Sequence, residues 1–141
     1  MYTRFTIPIL SDFVSPYSKD VVIEPTVDTP FIMYSEEMGI LKIKGNSTNL
    51  ECNKFYYPLI SEILDKVSPT SKLDLEICFS EINTSTVKVL FDLFKALQRK
   101  QMSGSTISVN WGVAVGDDDL LDTGADFSEL FDLKFSYTIH A

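Results

Sequence analysis

The chain holds one histidine, two cysteines and six glycines in 141 residues, and these scarcities remove most enzyme classes. A Ser-His-Asp or Cys-His arrangement needs a histidine beside its nucleophile, and His140, next to the last residue, gives it little support. The glycines form neither G-x-G-x-x-G nor the P-loop pattern that cradles phosphates. Basic residues are also few, 12 against 20 acidic ones, for a net charge of −8. Such a surface repels phosphate backbones, so nucleic acid is not an expected partner. No stretch approaches the roughly 20 apolar residues of a membrane span, so no membrane partner is expected. The opening residues carry one base, Arg4, and an apolar patch broken by Pro8. That makes a poor export signal and predicts a cytoplasmic protein. Cys52 and Cys78 lack metal-ligand spacing and sit inside regular patterns, which reads as two reduced, partly buried thiols. In Asp117-Asp118-Asp119, adjacent residues cannot all face one ion and calcium-loop spacing is missing. The run is read as a solvated turn, with no metal or other cofactor expected.

What is present fits one domain with a sizeable core. Residues 1–28 have little periodicity and carry Pro8, Pro16 and Pro25. They read as an arm with an edge strand near Val21-Val22-Ile23, and residues 29–141 as a single domain. Phe31–Tyr34 and Ile40–Lys44 look like strands joined by a hairpin loop ending at Gly39. Cys52, Phe55, Tyr56, Leu59, Ile60, Ile63, Leu64 and Val67 follow one helix face, with Thr48 and Glu51 as a capping box and Ser68-Pro69 as the stop. Leu73, Leu75, Ile77 and Phe79 alternate with polar residues as a strand. Asn83 caps a second helix whose stripe is Val87, Leu90, Phe91, Phe94 and Leu97, with Leu93 on its flank. Ile107 to Val115 alternate as another strand. A weaker helix through Leu120, Phe127 and Phe131 is interrupted by Gly124, and Phe135, Tyr137 and Ile139 suit a short last strand. The order β-β-α-β-α-β-α, with a possible final β, predicts an α/β fold with a mixed sheet and helices packed against it.

The informative segment is Asn83-Thr84-Ser85-Thr86-Val87-Lys88. Its plain meaning is a helix N-cap, because asparagine is a favoured cap and hydroxyl residues are common in a first turn. Three hydroxyls there also stand where free N–H groups and the helix dipole favour an anion. A phosphate on Thr84 would add about −1.5 to −2 charge, and Lys88, four residues on, lies on the same face.

The sequence resembles the SiaC family of bacterial regulatory phosphoproteins, small domains with a fold like the STAS domains of anti-sigma-factor antagonists. The likeness runs from about residue 27 to 136. It rests on Thr29-Pro30, Gly39 before Leu41-Lys42-Ile43, Gly45-Asn46-Ser47, Phe55-Tyr56-Tyr57-Pro58, Asn83 to Lys88, Trp111, Asp117-Asp118-Asp119 and Gly124-Ala125-Asp126-Phe127. Two places depart from the pattern: Asn49-Leu50 stands for a Pro-Glu, and Glu81 for a frequent aromatic. The resemblance implies a STAS-like regulatory protein without enzymatic activity, acting in c-di-GMP signalling. It implies a protein kinase of the histidine-kinase-like ATPase type, a PP2C-type phosphatase, and a diguanylate cyclase bound by the unphosphorylated form. Thr84 matches the phosphorylated position and Ser85 is the neighbouring candidate, with Asn83, Thr86 and Lys88 around them. The alternative from another class is a small-molecule or nucleotide sensor using the same helix start.

The cysteine patterns generate a first prediction. Cys52 belongs to a helix stripe and Cys78 to the strand face opposite Ile77 and Phe79, so no Cys52–Cys78 disulfide is expected. Thiol titration of the denatured protein with and without reductant should give equal counts; a deficit of two thiols without reductant would overturn the placement.

Overall fold

The computed structural model describes residues 20–141; the first nineteen residues of the expected arm lie outside it. In chain order the elements are β1 (Val21–Ile23), β2 (Phe31–Ser35), β3 (Ile40–Ser47), α1 (Cys52–Lys66), β4 (Lys72–Ile82), α2 (Thr84–Met102), β5 (Thr106–Ala114), α3 (Asp118–Leu130) and β6 (Lys134–His140). The strands form one six-stranded sheet in sequence order. β1, β2 and β3 pair antiparallel, and β3 to β6 pair parallel. The Val21-Val22-Ile23 strand is thus the sheet's edge, paired with Ile32–Tyr34 of β2.

Each helix links two neighbouring parallel strands, and right-handed crossovers of that kind put every helix on the same side. The alternation of the strands suits this. Leu41, Ile43, Leu75, Ile77, Val109 and Trp111 are buried under the helices, while Lys42, Lys44, Glu76 and Asn110 take the intervening positions on the other face. Among the described residues the domain therefore has one helix layer, and no helix covers the other sheet face. Gly39 makes the β2–β3 turn at φ +64, and a Cβ there would meet the Lys72 carbonyl at 2.7 Å.

Four expectations need correction. The capping box at α1 does not form: Glu51 is the cap residue without a side-chain cap bond. Its N–H donates instead to Asn49 Oδ1 at 2.8 Å, and its carboxylate pairs with Lys54. The stripe of α2 is broader and rotated. Thr86, Val89 and Leu93 are buried with Leu90, Phe94 and Leu97, whereas Phe91 is 41% exposed. α2 packs more closely on α1 than on α3, which covers its Thr86 side and leaves the Phe91 side open. The acidic run is largely solvent-exposed as expected but is not a turn. Gly116 makes the turn at φ +85, Asp117 caps α3 by accepting from the Leu120 N–H at 3.1 Å, and Asp118 and Asp119 fill the first turn, where the dipole favours acids.

Gly124 does not interrupt α3, which runs through it. It is the point where the helix touches the sheet, since a Cβ there would stand 2.5 Å from Trp111 Cδ1. The indole is 1% exposed, donates to the Leu120 carbonyl at 2.9 Å, and lies against the Phe127 ring. Both cysteines are free, Cys52 buried and Cys78 half-buried.

This contact yields a paired prediction. Trp111→Ala should cost about 3–5 kcal/mol, the range for a large buried aromatic. Gly124→Ala gains about 1 kcal/mol of helix propensity, but overpacking costs about 1–3 kcal/mol, so the net effect should be a loss. Urea unfolding measures both; a stabilised Gly124→Ala protein would mean the helix does not rest on the indole.

Candidate functional site

The segment singled out in the sequence joins β4 to α2. Asn83 is extended, at φ −110 and ψ 176, and the helix starts at Thr84. Asn83 Oδ1 accepts from the Thr86 N–H at 2.9 Å, which satisfies one of the free donors at the helix start. Its side-chain amide donates to the Asn49 carbonyl at 3.0 Å, and its backbone N–H to the Ser47 carbonyl at 3.2 Å. One residue thus fastens the start of α2 to the segment leaving β3.

Thr86 is the interior half of the site. It is 0% exposed, and its hydroxyl proton has two acceptors in reach, the Ser47 carbonyl at 2.8 Å and Asn83 Oδ1 at 2.9 Å. Ser47 Oγ lies 2.8 Å from Thr86 Oγ1 and 2.6 Å from the Tyr56 hydroxyl, and Cys52 Sγ is a third, more distant acceptor for the same proton at 3.7 Å. Burial raises the Tyr56 phenol well above its usual range, partly opposed by its bond to Ser47, so the phenol stays neutral and able to donate. The segment after β3 is held on its other side too. Thr48 and Asn49 donate their N–H groups to the Asp28 carbonyl, and Asn49 Nδ2 donates to Asp28 Oδ2 at 2.9 Å.

Thr84 and Ser85 are the exterior half, both exposed. Thr84 and Lys88 border a groove of about 480 Å³ between α2 and α3, with Val87, Phe91, Phe127 and Leu130 as its apolar lining and Asp126 opposite. Phe91 at 41% and Leu130 at 63% exposure leave much of this lining bare. Thr123 borders both this groove and a hollow of about 230 Å³ lined by Glu81, Asp117 and Asp119. One threonine therefore stands near apolar surface, a lysine and a group of acids.

The structure divides the expected site residues. Thr84 and Lys88 share one groove, Ser85 is exposed outside its lining, and Thr86 is turned into the core. Sequence reasoning missed Ser47, Asn49 and Tyr56, whose polar groups meet the segment starting at Asn83 only in three dimensions. It also missed the groove, for which Phe91, counted in the buried stripe, was the available signal. Tyr57, next to Tyr56, stays at the surface and donates to Asp92 of α2; that bond pushes its phenol up to about 12. Among the described residues no group of three or more His, Cys, Asp or Glu is placed to hold a metal. No helix there is long and apolar enough to cross a membrane.

A family model described as "SiaC family regulatory phosphoprotein" matches residues 23–140. An uncharacterized protein of Pseudomonas aeruginosa (strain UCBPP-PA14) is 24% identical over 127 residues, covering 86% of this chain and 96% of that protein. SiaC of Pseudomonas aeruginosa superposes with a TM-score of 0.77 at 22% identity, over 86% of this chain and 98% of the other. A chain from the crystal structure of the Pseudomonas aeruginosa diguanylate cyclase SiaD in complex with its activator SiaC gives 0.79 at 21% identity, over 86% of this chain and 100% of the other. These likenesses carry the fold.

The division between interior and exterior threonines is testable. Thr86→Val leaves buried acceptors without a donor and should cost about 1–3 kcal/mol, and Asn83→Ala about 1–2 kcal/mol for the lost cap. Thr84→Ala and Ser85→Ala should change stability by no more than about 0.5 kcal/mol. Urea unfolding of the four variants gives the ranking, and a costly Thr84→Ala would show that its hydroxyl holds the fold.

Proposed function

The chain belongs to the SiaC family of regulatory phosphoproteins, and from that membership we propose that it is a non-enzymatic signalling protein, switched by phosphate on Thr84, that binds a diguanylate cyclase. The observation that carries the reading is the exposure of Thr84 at the start of α2, beside a groove whose apolar lining is uncovered. An effector that covers Phe91 and Leu130 gains from removing their surface from water, at about 25 cal/mol per Å². Thr84 at the rim then lies within the contact. A phosphate there adds close to two negative charges, which must be desolvated when the effector docks.

The neighbouring charges support an electrostatic switch. Lys88 is the cation of the groove, while Glu81, Asp117 and Asp119 line the adjoining hollow. A phosphate on Thr84 extends an acidic surface on a protein already at −8, so a partner that tolerates one form meets a different field in the other. Ser85 is the second candidate, being exposed in the same turn but outside the groove lining. The free N–H groups and dipole at the start of α2 tolerate the added anion. The proposal includes a histidine-kinase-like ATPase that installs the phosphate, a PP2C-type phosphatase that removes it, and a cytoplasmic location. The SiaD–SiaC complex, in which SiaC is the activator, supports the choice of a diguanylate cyclase as effector.

The test is titration of a cognate diguanylate cyclase with unmodified protein, protein phosphorylated at Thr84, and the Thr84→Ala and Thr84→Asp variants. Phosphorylation should cost about 2 kcal/mol or more, near thirtyfold in affinity. Thr84→Ala should bind like the unmodified protein and accept no phosphate, and Thr84→Asp should weaken binding less than phosphate does. Circular dichroism checks that each form is folded. Equal binding of the phosphorylated and unmodified proteins would reduce Asn83-Thr84-Ser85 to a helix cap.

A further inference from the structure

The sheet face away from α1, α2 and α3 carries a hollow of about 420 Å³ at its centre. That size falls in the range of about 300–1,000 Å³ that small ligands fill. Its floor exists because β5 has a glycine where its neighbours have side chains. Gly112 pairs with Cys78 of β4, which pairs on its other side with Lys44 of β3. A Cβ on Gly112 would lie 2.9 Å from His140 Nε2 and 3.3 Å from Cys78 Sγ. The only histidine of the chain and its half-buried thiol therefore pack together over Gly112, which they bury.

The rim is cationic. Lys42 and Lys44 line the hollow with Glu76, and neither lysine forms an ion pair among the described residues. Further along β4, Lys72 is paired with Asp74 at 3.2 Å. On a chain of net charge −8, two lysines against the single acid Glu76 leave the lining of this hollow net positive, which favours an anion. The thiol gives that anion something to react with. Cys52 offers no such access, being 1% exposed and hydrogen-bonded to Thr86.

We propose that this hollow is a thiol-modification site, where Cys78 undergoes exchange with an anionic low-molecular-weight disulfide of the glutathione type. The Cys78 thiol gives its proton to solvent, and the thiolate attacks one sulfur of the disulfide. The reagent's S–S bond breaks as the Cys78–sulfur bond forms, and the departing thiolate takes a proton from solvent in turn. Thiol plus disulfide become mixed disulfide plus thiol: Cys78 is oxidised and the leaving sulfur is reduced. The carboxylates of the retained half pair with Lys42 and Lys44. The site lies on the face opposite Thr84 and stands independently of the phosphorylation switch.

The experiment treats the full-length folded protein with excess glutathione disulfide and follows intact mass, with peptide mapping of the adduct. One adduct should form, on Cys78, and Cys78→Ser should accept none. The double variant Lys42→Glu with Lys44→Glu should react about tenfold more slowly with glutathione disulfide, and no more slowly with cystamine, a cationic disulfide. The milder pair Lys42→Gln with Lys44→Gln serves the same comparison if charge reversal disturbs the fold. An adduct on Cys52, no adduct on the native protein, or equal glutathione disulfide rates in wild type and a folded lysine variant would each overturn the proposal.

Discussion

The buried hydroxyl chain from Thr86 through Ser47 to Tyr56 is the constraint on which the arrangement of this domain turns. Three side chains from α2, β3 and α1 exchange hydrogen bonds of 2.6–2.8 Å in the interior. A polar group buried without a partner costs about 1–3 kcal/mol, roughly twice what a typical bond contributes, so each member fixes the other two. Together with the Asn83 cap, the chain sets where α2 begins relative to the end of β3. It therefore sets which hydroxyls of the Thr84-Ser85-Thr86 run face water. The neutral phenol of Tyr56, held so by burial, removes any charge that would need compensation in this interior.

The sequence segments that carried the family likeness gain a common physical meaning from this network. Ser47, Tyr56, Asn83 and Thr86 are parts of one hydrogen-bonded assembly, although 39 residues separate the first from the last. The later segments form a second assembly, in which Trp111, Leu120, Gly124 and Phe127 lock α3 onto the sheet. The two assemblies hold α2 and α3 at the splay that leaves the groove between them. Motifs that look unrelated along the chain thus position the two walls of one surface.

Strand and helix succession was legible in the sequence because period-2 and period-3.6 patterns were clean in β4, β5, α1 and α2. Asn83 was legible as a cap because its signal is local. Where the reading failed, a tertiary contact outranked the local signal. Gly124 looked like a helix breaker, yet the indole of Trp111 occupies the space a side chain would need. Thr86 looked like one of three equivalent hydroxyls, and only the approach of Ser47 separates it from Thr84. The capping box of Thr48 and Glu51 failed for a local reason instead: Asn49 Oδ1, two residues before Glu51, accepts the N–H that the Thr48 side chain would have taken.

The same rigidity bears on how a phosphate at Thr84 would act. A modification shifts a conformational equilibrium only through different interactions with the two states. Thr84 makes no side-chain hydrogen bond among the described residues, whereas Asn83 and Thr86 carry the bonds that fix the helix start. A phosphate on Thr84 leaves those bonds in place, so the fold has no internal reason to rearrange. Its effect is then confined to the surface, as charge and bulk at the rim of the groove. A switch at Thr84, as proposed above, would separate stability from signal: the interior threonine holds the geometry, and the exterior one would change state without loosening it. Phosphate on Thr86 would do the reverse, forcing a doubly charged group into a core that has only neutral partners for it. The hydroxyl chain therefore also decides which position of the segment is free to be modified.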